Sequence, residues 1–130
     1  MFVYYNANPI NNLVIDCTVR AISAVTGKSW DETYIGLVVK GYEMKDMPNS
    51  NRVWHEYLKD LNYSRSIIPD TCPNCYTVAD FCVDHPRGIY LLATGDHVIA
   101  VIDGSYYDTW DSGNCVPIYY WTEREEKNHA

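Results

Sequence analysis

Cys17 follows Asp16 and opens the run Thr18-Val19-Arg20-Ala21-Ile22-Ser23-Ala24-Val25, which reads as the start of a helix. A thiol at a helix N-terminus meets the positive end of the macrodipole and unpaired backbone N–H groups. Both favour the nucleophilic thiolate. Far downstream, His97 begins an alternating apolar segment, and Asp108-Thr109-Trp110 follows across an Asp103-Gly104 turn. A cysteine on a helix start, a histidine on a strand and a carboxylate on the next strand have the residue types for acyl transfer. The three roles are nucleophile, general base and orienting group. Taken singly, each has an ordinary reading: a small buried hydrophobe, a structural histidine, a carboxylate near a turn. Taken together, in this order and on compatible elements, they point to a Cys-His-Asp enzyme.

The elements that must position these residues are visible in the pattern. The first helix is expected over about residues 16–26, stopping at Gly27, where a left-handed C-terminal position suits glycine. Ser29-Trp30-Asp31-Glu32 is a capping box that opens a second helix to about Gly41. Ser50 is placed to cap a third, carrying Val53, Trp54, Tyr57, Leu58 and Leu61, and Thr77 to start a fourth. Strands are expected over about residues 2–5, 63–68, 89–93, 97–102, 105–110 and 116–121. The charged tail over residues 122–130 is expected to fray. His55 in a helix and His129 in the tail have no context that fits a catalytic base. Helices first and a meander of strands afterwards make the fold class α+β, in one domain over residues 1–130.

Hairpin geometry selects the carboxylate. With Asp103-Gly104 as a two-residue loop, Ile102 faces Ser105, Ile99 faces Asp108 and His97 faces Trp110. His97, Ile99 and Val101 then share a face with Tyr106, Asp108 and Trp110, and Asp108 is the diagonal neighbour of His97. Asp111 points to the opposite face in this register, and Asp103 sits in the turn. A slip of one residue would reverse the choice.

Asp16-Cys17 at a helix start, then Asp96-His97-Val98-Ile99-Ala100-Val101, then Asp108-Thr109-Trp110, resembles the papain-like cysteine peptidase superfamily. The order of elements is similar from about Asn11 to Trp121. Among its members the compact bacterial peptidases that remove leader sequences from secreted peptides, of the bacteriocin-processing kind, are the most similar. The resemblance implies a papain-like fold, with the nucleophile on the first of the N-terminal helices and a C-terminal antiparallel sheet. It implies Cys17 as nucleophile, His97 as general base and later acid, Asp108 as orienter and Trp110 as a shield. The family's glutamine six positions before the nucleophile is Asn11 here, so Asn11 and the Cys17 backbone N–H are the implied oxyanion donors. The implied activity is that of a cysteine peptidase or amidohydrolase acting on a peptide or protein. A deamidase, a transglutaminase or a catalytically silent peptide-binding module of the same fold are the alternatives.

Composition narrows the partners. The net charge of -7 argues against nucleic acid or an anionic membrane surface. No run approaches the roughly 18 apolar residues of a transmembrane helix. The first residues lack the basic start of a signal peptide, and five cysteines are an odd number, so a cytoplasmic, reducing compartment is expected. Cys72-Pro73-Asn74-Cys75 followed by Cys82 and His85 has the ligand types for a structural zinc. Buried or paired thiols are the other reading of those residues, and no other cofactor is expected.

Overall fold

The computed structural model describes residues 1–125, and the expected tail, with His129, lies largely outside them. The described residues form an α+β domain in the order β1 (Phe2–Tyr4), α1 (Cys17–Thr26), α2 (Trp30–Met44), α3 (Asn51–Asp60), β2 (Tyr63–Ile67), α4 (Val78–Asp84), β3 (Ile89–Ala93), β4 (Val98–Ile102), β5 (Ser105–Asp108) and β6 (Tyr119–Glu123). No helix among them is long and apolar enough to cross a membrane.

The strands make one six-stranded sheet in the order β1-β5-β4-β3-β6-β2. It is mixed rather than purely antiparallel, because β1 runs parallel to β5 with Tyr4 opposite Asp108. The central hairpin has the expected register, with Ile102 opposite Ser105 and Ala100 opposite Tyr107. Asp103 and Gly104 both take positive φ, 49° and 77°, the conformation of a two-residue turn that follows the twist of its strands.

Both faces of the sheet are covered. Ala21, Ile22 and Val25 of α1, with Leu37, Trp54 and Leu58 from α2 and α3, pack on Leu91, Ala93, Val98 and Ala100. Val78, Phe81 and Cys82 of α4 pack on Leu92, Ile99, Val101 and Tyr106 on the other side. Burial on both faces is why β3 and β4 read as nearly unbroken apolar runs.

Several element ends differ from expectation for identifiable reasons. Helix α1 stops where glycine predicts it, with Gly27 left-handed and its N–H on the Ser23 carbonyl. Helix α2 continues past Gly41 to a left-handed Lys45. Gly41 lies against the returning chain instead, where a Cβ would come 2.7 Å from the Asp46 carbonyl. Ser50 precedes α3 but gives its hydroxyl to Asp46 rather than to the helix start. Strand β6 begins at Tyr119, because Pro117 has no N–H to pair, and it runs two residues into the expected tail.

Candidate active site

Cys17 is the first residue of α1, His97 immediately precedes β4, and Asp108 ends β5. The fold brings all three together. His97 Nε2 lies 2.7 Å from Asp108 Oδ2. A carboxylate only accepts, so Nε2 carries the proton and Nδ1 is left for sulfur. The same imidazole and the Val98 backbone N–H also lie against the Cys17 sulfur, where both favour its ionised form.

Strand parity alone would not predict this meeting. Val98 and Ala100 face α1, whereas Ile99, Val101 and Tyr106 face α4. His97 and Asp108 belong by alternation to the α4 side. Both sit at the end of their strands, however, where side chains can turn around the sheet edge toward the start of α1.

Asp108 is fully buried and surrounded by donors. Besides His97 it accepts from Ser112 Oγ at 2.7 Å, Arg20 Nη2 at 2.8 Å and the Thr109 N–H at 2.8 Å. Burial pushes its pKa up, but the bonds from His97 and Ser112, the His97 charge and the Thr109 N–H hold it below the usual carboxylate value. Burial likewise pulls His97 down, and the bonds to Asp108 and Cys17 outweigh it, raising the imidazole to about 9. At Cys17 burial pushes the thiol up. The His97 bond, the Val98 N–H and the positive charges of His97 and Arg20 reverse this and bring it below its ordinary value. Both shifts run toward the charged forms, thiolate and imidazolium.

Trp110 lies against the imidazole with ring centroids 4.9 Å apart and is 49% exposed, so it forms the outer wall over His97. The two rejected carboxylates are occupied elsewhere. Asp111 accepts from the Tyr106 hydroxyl and the Gly113 N–H, and Asp103 accepts from the Gly88 N–H.

A cavity of about 660 Å³ opens beside Cys17, with Val14, Trp30, Tyr34, Leu37, Met47 and Val98 among its walls. A second, of about 440 Å³, is bordered by His97, Trp110 and Cys115. Asp96 borders both. Cys17 thus lines the first cavity and His97 the second. The loop that leads to Cys17 exposes Ile10, Leu13, Val14 and Ile15 along its rim.

No family model matches the sequence, and no curated protein and no solved structure matches it either.

Asn11 sits in the approach loop at φ 57°, with its N–H on the Asn8 carbonyl and its side chain exposed. The loop is held by Asn8, whose Oδ1 accepts from the N–H groups of Ile10 and Asn12. Cys72 and Cys75 form a disulfide, while Cys17, Cys82 and Cys115 are free thiols. Cys82 is buried in the core, and His85 places Nδ1 2.9 Å from the Phe81 carbonyl with its ring stacked on Phe81. Among the described residues no group of three or more His, Cys, Asp or Glu side chains is arranged to hold a metal ion.

Arg20 and Ser112 escaped the sequence analysis. Arg20 carried a signal, since a charge among Ala21, Ile22 and Val25 falls within a buried stretch four residues after Asp16. Nothing local indicates its second partner, 88 positions away. Ser112 carried no signal beyond its place in a Ser-Gly turn.

Proposed function

We propose that this chain is a cysteine hydrolase of papain-like type, cleaving an amide or peptide bond through a Cys17 thioester. The single observation that carries the proposal is one imidazole set beside a helix-start thiol and bonded to a buried carboxylate. The Cys17 sulfur attacks the carbonyl carbon, and the C=O electron pair moves onto oxygen. The Cys17 backbone N–H and the Asn11 amide are the proposed donors to that oxyanion. Collapse of the tetrahedral species breaks the C–N bond while the His97 imidazolium gives its proton to the leaving nitrogen. Water then attacks the thioester carbonyl, His97 takes its proton, and the acid product leaves the sulfur.

Asp108 keeps Nε2 protonated throughout, so that Nδ1 remains the atom that exchanges protons at sulfur. Two cavities, one at Cys17 and one at His97, favour a substrate that extends across the pair, such as an extended polypeptide. The apolar walls of the larger cavity suit an uncharged side chain near the scissile bond.

The deciding experiment labels the protein with a substrate-derived acylating or alkylating probe and maps the modified residue. Modification at Cys17, lost in Cys17→Ala with the fold intact, is expected. Full activity of Cys17→Ala on a verified substrate would end the proposal.

A further inference from the structure

An aspartate directly before a helix is ordinarily its cap, with the carboxylate accepting from the first N–H groups. Asp16 stands in that position and does not do this. Its backbone angles are φ -122° and ψ 27°, and its side chain makes no cap hydrogen bond. Instead Oδ1 is held by Arg20 Nη1, and Oδ2 accepts from Trp30 Nε1 at 2.9 Å. The first helix bond in which Asp16 takes part runs from the Arg20 N–H to its carbonyl. The carboxylate that directly precedes the nucleophile in sequence therefore does not serve the helix start.

The other arm of the same guanidinium binds Asp108 Oδ1, while His97 holds Oδ2. Arg20 is 4% exposed and Asp16 7%, so these are dry, directional contacts rather than a mobile surface pair. One side chain on α1 thus spans from the residue before the nucleophile to the carboxylate that orients the base.

We propose that Arg20 is the positioning residue of this site: its fork fixes the nucleophile's helix against β5, and with Trp30 it keeps the Asp16 carboxylate out of the place an oxyanion must take. Its role presupposes the hydrolase chemistry above, but its test does not. The groups facing the thiol from the packed elements are His97 and the Val98 N–H at the start of β4 and Arg20 on α1, with the Asp16 and Asp96 carboxylates in the adjoining cavity wall. Without Arg20, Asp16 becomes a free anion beside the thiolate and the natural cap for its helix.

The rate of Cys17 alkylation by iodoacetamide, mapped by mass spectrometry across about pH 5 to 9, reads this without any substrate. The full chain is compared with Arg20→Lys, Arg20→Met and the double variant Asp16→Ala/Arg20→Met. Lysine keeps the charge but cannot bridge two carboxylates with one ammonium. Labelling near pH 6.5 should fall about tenfold or more in Arg20→Met and by less in Arg20→Lys, with both profiles displaced to higher pH. The double variant should label faster than Arg20→Met, because the intruding carboxylate is gone. An unshifted profile in folded Arg20→Lys overturns the proposal, as does a double variant no faster than Arg20→Met. If Arg20→Met does not fold, Arg20→Lys and Trp30→Phe decide, the latter removing one bond to Asp16 and leaving Arg20 in place. Failure of the hydrolase itself would appear elsewhere, as a verified substrate turned over without Cys17.

Discussion

Replacing Asp108 by asparagine should separate catalysis from folding. All four partners of the carboxylate are donors: His97 Nε2, Ser112 Oγ, Arg20 Nη2 and the Thr109 N–H. An amide has one accepting oxygen and one donating nitrogen. It fits best with oxygen toward Arg20 and Thr109 and nitrogen toward His97 and Ser112. Ser112 can rotate its hydroxyl to accept. His97 can accept at Nε2 only by moving its proton to Nδ1, where it faces the sulfur and can no longer take the thiol proton. The stability loss should be modest, about 1–3 kcal/mol, because Arg20 keeps Asp16 and no buried donor is orphaned. Activity should fall by up to about 10⁴-fold, the scale of a wrong imidazole tautomer in a Ser-His-Asp triad, because Arg20 and the Thr109 N–H hold the amide oxygen away from His97. Asp108→Ala reverses the balance: it orphans buried donors and should cost about 3–5 kcal/mol. Urea unfolding gives the stabilities, and Cys17 alkylation with single-turnover acylation gives the chemistry. An Asp108→Asn protein that alkylates and turns over within about threefold of the parent would refute the orienting role and the tautomer argument with it.

Further outcomes are expected at the same site. With His97 raised from 6.5 to about 9, kcat/KM should fall on the alkaline side near about pH 9. The same shift carries stability that is present below pH 6.5 and lost as pH rises through about 9, so urea midpoints should decline over that window and the decline should vanish in His97→Ala. Trp110→Ala should slow turnover by about two- to tenfold, the worth of one aromatic contact, with little change in KM. Asn11→Ala should lower kcat by about 10²–10³ if its amide binds the oxyanion, whereas a loss under tenfold would leave that work to backbone N–H groups. Thiol counting in denaturant should find three reactive cysteines before reduction and all five after it, and metal analysis of the reduced protein tests zinc at Cys72, Cys75, Cys82 and His85.

The legible part of the site was the part with local cues. A helix start marks Cys17, the start of an apolar run marks His97, and the Asp103-Gly104 turn sets the register that makes Asp108 its diagonal neighbour. The side of the sheet to which α1 docks was not legible, since β3 and β4 are apolar on both faces and alternation carries no sign there. The parallel place of β1 was equally hidden, because three residues in one edge strand name no partner. Arg20 shows the general limit: half of its role follows from an i,i+4 pair with Asp16, and the other half exists only once residue 108 arrives. Gly41 misled for a related reason, as glycine serves a close backbone approach as readily as a helix end.

The parallel pairing of β1 with β5 has a consequence for biosynthesis. The opening residues of the chain complete the sheet only beside residues 106–108, so the two farthest parts of this machinery are joined last. A ribosome that has released the chain as far as residue 100 has delivered Cys17 and His97 without Asp108. Contacts so distant in sequence form slowly and late. Until the polypeptide passes this point Asp108 is missing from the contacts of His97 and Arg20, so the cluster around residue 17 cannot close.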